Sequence, residues 1–187
     1  NVATEDVVYL LHGLGIETAL DAVTIENVKI DGCSGDAFDI KGSAIIRDCL
    51  ATNAARQSFK VWGNAGVASE FTRCVAYNNG QGGMANAGII TMTDCYLEGG
   101  KNNDTAFFWG VGKTCGGTDH WGNADTYGCG GVTATVTRCQ FIRHAGVGVL
   151  LTAETGPYRP AEMKFTECTF YNPGHPNLYV GPNYVLV

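Results

Sequence analysis

Positive charge is scarce in this chain: Lys and Arg number 12 among 187 residues, against 18 Asp and Glu, for a formal charge of −6. A nucleic-acid partner needs a basic footprint, so that class is excluded. Charged residues of both signs make up only 16%, and with 45% hydrophobic content this rules out a disordered chain. No apolar run approaches the ~20 residues a membrane-spanning helix needs, so no membrane span is expected. A nucleophile elbow, a phosphate loop and a dinucleotide fingerprint are also missing.

Glycine (26 residues) and cysteine (8 residues) are plentiful. The profile is that of a turn-rich, strand-rich single domain, long enough to bury a continuous core. Sparse Lys and Arg, a start at Asn1 and the sequon Asn103-Asp104-Thr105 lead to the expectation of an exported protein, extracellular or at the cell surface.

Six ten-residue segments superimpose: VTIENVKIDG (23–32), AIIRDCLATN (44–53), SEFTRCVAYN (69–78), ITMTDCYLEG (90–99), ATVTRCQFIR (134–143) and MKFTECTFYN (163–172). The third position is always apolar (Ile25, Ile46, Phe71, Met92, Val136, Phe165), and so is the eighth. The fifth is polar or charged, and the sixth is Cys49, Cys74, Cys95, Cys139 or Cys168, with Val28 in the first segment. Positions two and four carry Thr, Glu, Arg, Lys and Ile, as befits the outer face of a period-2 strand. A second short strand follows the cysteine, then an Asn/Gly turn, then a third strand such as AFDIKG (37–42) or SFKVWG (58–63). Each unit can bury its apolar face only against its neighbours, so the repeat predicts an all-β solenoid, a parallel β-helix of about six to seven coils.

Residues 1–22 are expected to form an N-terminal cap, with Thr4 capping a short helix over Glu5–His12 that Gly13 ends. The β-helix then covers 23–187. The long interval between Cys95 and Cys139 is read as one coil with a loop insertion near 111–131, the alternative being an extra coil near Cys115. The apolar end Tyr184–Val187 is expected to pair within the chain or with a neighbouring subunit.

The five ladder cysteines, about 4.8 Å apart on adjacent coils, are expected to be free core thiols. Cys115 and Cys129 lie outside the ladder, where a disulfide stapling the insertion is expected; a zinc site with His120 is the other reading. His120 with Asp119 and Asp125 could form a metal or acid–base group, while His144 and His175 fall in turns. In the third strand, Phe38, Ile40, Phe59, Val61, Ala106, Phe108, Val147, Val149, Leu178 and Val180 are expected to point inward. The outward set, Asp39 and Lys41, Lys60 and Trp62, Phe107 and Trp109, Leu150 and Tyr179, is charged near the start and aromatic further along. Its aromatics would stack on sugar rings, or be covered by the insertion or by another subunit.

The stretches GDAFDIKG and IRDCLATNAARQSFKVWG resemble a coil pair of right-handed β-helix pectate lyases, specifically family 9. The likeness is close over residues 35–63 and general elsewhere. It implies a right-handed β-helix, calcium held by aspartates on two strands, and a lysine that removes the proton next to a uronate carboxyl. Asp36 matches the first calcium aspartate. The acidic strand, however, is here Arg56, Gln57, Ser58, Phe59, Lys60, so calcium is disfavoured and no cofactor is expected. Two functions remain. One is a non-catalytic, self-associating or carbohydrate-contacting structural module, with Arg56, Trp62, Phe107, Trp109 and Tyr179 on its contact surface. The other is a uronate lyase or epimerase with Lys60, Lys41 and Asp39 as its catalytic groups.

Overall fold

The computed structural model describes residues 13–17, 22–63, 67–81, 84–100, 108–112, 132–143, 149–153, 159–171, 178–180 and 184–186. Among them every regular element is a strand. The first coil is β1 (Leu14–Glu17), β2 (Val23–Glu26) and β3 (Lys29–Cys33), and the second is β4 (Phe38–Lys41), β5 (Ala44–Arg47) and β6 (Leu50–Ala54). The third is β7 (Phe59–Trp62), β8 (Ala68–Thr72) and β9 (Val75–Tyr77). In the fourth, β10 (Met84–Thr93) runs through a corner and is followed by β11 (Tyr96–Glu98). Coil five is β12 (Phe108–Gly112), β13 (Val132–Thr137) and β14 (Gln140–Ile142), and coil six is β15 (Val149–Ala153), β16 (Arg159–Thr166) and β17 (Thr169–Tyr171). Finally β18 (Leu178–Val180) and β19 (Tyr184–Leu186) begin a seventh.

Every pairing is parallel and joins a strand to its counterpart one coil away, which makes a parallel β-helix. Sheet A stacks β1, β4, β7, β10, β12, β15 and β18. Sheet B stacks β2, β5, β8, β10, β13, β16 and β19, and sheet C stacks β3, β6, β9, β11, β14 and β17. The repeat seen in the sequence is the observed register: Ile25↔Ile46↔Phe71↔Met92↔Val136↔Phe165 is one unbroken column of sheet B. Ile46, Phe71, Met92 and Val136 are essentially fully buried, as are Ala51, Ala76, Leu97 and Phe141 at the eighth position. Each large side chain so placed contributes roughly 1.5–3 kcal/mol relative to exposure. Phe38 stacks on Phe59 across adjacent coils at 4.9 Å between ring centroids, and Phe141 on Phe170 at 4.7 Å.

Strand β1 pairs with β4 as Leu14↔Phe38 to Glu17↔Lys41, so the solenoid begins within the stretch expected to be its cap. The helix expected over Glu5–His12 lies outside the described residues. Strand β12 pairs directly with β10 and β15, and β13 directly with β10 and β16. Residues 113–131, which lie outside the described residues, fall in the chain between two strands of a single coil. The apolar C-terminal segment pairs within the chain, as β19 on β16.

The turn from sheet B to sheet C is a single left-handed residue immediately before the cysteine. Asn27, Asp48, Arg73, Asp94, Arg138 and Glu167 all have φ between 51° and 58°. Asn and Asp tolerate that region, but Arg and Glu adopt it at a cost of roughly 1 kcal/mol each. The next turn repeats the device at Gly32, Asn53, Asn78, Gly99 and Arg143. Gly88, at φ +88°, bends β10 where it passes from sheet A to sheet B, and stacks on the backbone of Gly63.

Candidate functional site

The outer face of sheet A brings together most of the charged residues singled out above. Asp36 sits in the turn before β4, which carries Asp39 and Lys41 on its outer side. Arg56 and Gln57 occupy the equivalent turn one coil on, before β7 with Lys60 and Trp62. Register places Asp39 beside Lys60 and Lys41 beside Trp62.

Lys60 is clamped. Its Nζ lies 3.2 Å from Asp36 Oδ2 and 3.4 Å from Asp39 Oδ1, and its side chain is only 17% exposed. Asp36 is fully buried; its Oδ1 accepts the Gln57 backbone N–H at 3.1 Å and lies 3.8 Å from Arg56 Nε. Arg56 in turn donates to Gln81 Oε1 at 3.2 Å. A buried carboxylate is tolerated only when paired and hydrogen-bonded, and Lys60 with Gln57 meets that need. The ion pair expected between Lys60 and Asp39 is present, and Asp36 is a second and better-buried partner. Calcium takes about six to eight oxygen ligands. Here the two carboxylates both face an ammonium, so this set does not fit the ion. Among the described residues no cluster of three or more His, Cys, Asp or Glu side chains could hold a metal.

Beside this network a pocket of ≈ 250 Å³ is lined by Gly15, Ile16, Asp39 and Lys41. Gly15 leaves the outer face open there, because a Cβ at its position would meet nothing within 4 Å.

Further along sheet A, the backbone register puts Trp109, Leu150 and Tyr179 in one column in direct continuation of Asp39, Lys60 and Ala85. Phe108 pairs with Met84 and Val149, and Leu151 with Gly110 and Val180. Phe107, Asn103, Cys115, Asp119, His120, Asp125, Cys129, His144 and His175 lie outside the described residues.

Cys49, Cys74, Cys95 and Cys139 are buried and free, Cys168 is half-buried and free, and Cys33 adds a sixth free thiol. Cys74 and Cys95 each donate a backbone N–H at 3.4 Å to the sulfur of the next coil's cysteine, Cys95 and Cys139 respectively. Every ladder thiol donates to the carbonyl two residues back, as Cys95 does to Thr93 at 3.3 Å. Burial pushes the thiols of Cys49 and Cys168 up.

An exposed charge ladder went unread in the sequence. The left-handed residues alternate in sign coil by coil, as Asp48, Arg73, Asp94, Arg138, Glu167. Arg73 makes a two-pronged pair with Asp48 (2.7 and 2.6 Å), and Arg138 one with Asp94 (2.7 and 2.9 Å). Donation from these guanidinium groups holds the carboxyls of Asp48 and Asp94 below the usual range. The signal was visible at the fifth position of the aligned segments, where sign alternates from the second segment onward.

Residues 12–185 match the protein family described as right handed beta helix region. No curated protein and no solved structure matches the chain.

Proposed function

The chain belongs to the right-handed β-helix family, and from that premise we propose that it is an extracellular, non-catalytic structural module that contacts polysaccharide along the outer face of sheet A. The observation that carries this reading is the double ion pair of Lys60. A base must present a lone pair to its substrate, and a lysine held as a cation between two carboxylates does the opposite. Register puts Trp109 and Tyr179 in one column of sheet A two coils apart, about 9.6 Å along the stack. Aromatic residues at that interval on a rigid sheet suit the faces of successive sugar rings. Self-association belongs to the same reading, since any solenoid edge strand left unpaired invites a further chain.

The test is binding against turnover. Polygalacturonate and alginate should retard the protein in affinity electrophoresis, while no unsaturated product absorbs in the ultraviolet. Product that forms with the native protein and disappears in Lys60→Ala would overturn the reading.

A uronate lyase or epimerase is the second reading, favoured by the pocket between Asp39 and Lys41 and by the likeness of residues 35–63 to family 9 pectate lyases. In it Lys41, on the wall of that pocket, serves as the base, and Arg56 neutralises the uronate carboxylate. Lys41→Ala separates the two: it should leave binding nearly intact in the first reading and abolish product in the second.

A further inference from the structure

Sheet B carries a second, unrelated surface. Its outer side holds three in-register columns. Thr72, Thr93, Thr137 and Thr166 form one; Thr91 and Thr135 form the next, bounded by Glu70 and Lys164; Ile89 and Thr133 form the third. Thr91, Thr133 and Thr135 are exposed, Ile89 is 38% exposed, and Thr93 and Thr137 are half-buried. Between the columns, Phe71, Met92 and Val136 point into the core with at most 1% exposure, so the strands bearing the threonines are anchored from beneath.

The result is a grid of hydroxyl and methyl groups repeating about 4.8 Å between coils and about 6.7 Å along each strand. β-branching limits each threonine to few rotamers, so the grid is stiff. The six positions 89, 91, 93, 133, 135 and 137 of coils four and five are Ile or Thr, and charge stands around them: Glu70 and Arg47 on the preceding coils, Glu162 and Lys164 on the next, and the paired Asp94 and Arg138 on the turn that follows Thr93 and Thr137. β-propensity alone would favour threonine on such a face, but it would favour Val, Tyr or Ile equally. A glycan strand repeats in one direction and is gripped by aromatic rings, which these six positions lack. A neutral grid that repeats in two directions fits a neutral, hydrogen-bonding partner that does the same. Its two repeats lie close to the oxygen repeats on the prism faces of hexagonal ice. We infer that the outer face of sheet B binds the ordered water lattice of an ice surface.

The full chain is tested by growing ice slowly from its solution and measuring how it partitions between ice and liquid, with crystal shape recorded during growth. The native protein should enter the ice and facet the crystals. Thr135→Lys and Thr91→Lys, each confirmed as folded by circular dichroism, should be rejected into the liquid, while Thr24→Lys, two coils from the grid, should partition like the native protein. Exclusion of the native protein from ice overturns the inference, as does a folded Thr135→Lys that still enters it. So do retention on crystalline cellulose without partition into ice, and a dimer in light scattering that Thr135→Lys dissolves.

Discussion

Asp36, a carboxylate with no exposed surface, holds the Lys60 ammonium at 3.2 Å. Removing the lysine takes away the cation nearest to that buried charge, whose contacts also include the Gln57 backbone N–H and the more distant Arg56. Lys60→Ala is therefore expected to cost about 3 kcal/mol or more in urea unfolding. The double variant Asp36→Asn, Lys60→Met removes both charges and should recover most of that loss. If Lys60→Ala unfolded at the native urea concentration, the pair would have no structural role, and Lys60 would again be a candidate base.

The alternation of charge along the left-handed turns gives a second expectation. Arg73→Glu would set three acids in a row, Asp48, Glu and Asp94, and should lower Tm in low salt, with much of the loss recovered at high ionic strength. Acid should act through the same groups. The carboxyls of Asp48 and Asp94 titrate below the ordinary aspartate value because Arg73 and Arg138 donate to them. A lowered folded-state pKa adds stability above the unfolded value of about 3.9, and that stability is lost as pH falls through the folded one. Melting curves from pH 6 downward should thus be flat until about pH 4 and then decline. Arg73→Gln and Arg138→Gln should flatten that decline.

Period-2 alternation and the cysteine interval were enough to place the core column from Ile25 to Phe165 and to expect free ladder thiols, because a solenoid repeats one solution coil after coil. The pairing of Trp109 with Ala85 and Leu150 comes only from the structure, since the turns that set that register have no strong sequence signature. Asp36 matches a calcium aspartate of the lyase coil it resembles, and calcium is disfavoured there because the further acids are missing. Its ion-pair partner, Lys60, is 24 residues away and adjacent only once β4 and β7 pair. The sign alternation at Asp48, Arg73, Asp94, Arg138 and Glu167 was open to inspection. It acquires meaning only with the knowledge that these residues stack at one turn.

Thiol chemistry should divide the cysteines by depth. In native buffer, a thiol-reactive disulfide reagent should modify the half-buried Cys33 and Cys168 first. Cys49, Cys74, Cys95 and Cys139, at most 2% exposed, should react only as the protein unfolds. Peptide mapping after timed labelling reads this directly. Early labelling of Cys95 would show that the core column opens between coils four and five.

Close packing at one glycine gives the sharpest test of the coil spacing. A Cβ on Gly80 would lie 1.9 Å from the backbone oxygen of Ala55 on the preceding coil, and Gly80 N–H donates to Ala54 O at 2.8 Å. Neither atom belongs to a side chain that can swing aside. To admit a methyl group the turns must part, which would weaken this bond and the neighbouring Gln81–Arg56 backbone bond at 3.2 Å. Gly80→Ala is expected to cost at least about 2 kcal/mol. Gly15→Ala, where a Cβ meets nothing within 4 Å, is the matched control and should leave stability nearly unchanged. Equal Tm values for the two variants would mean that the coils at Ala55 and Gly80 stand further apart than their hydrogen bonds imply.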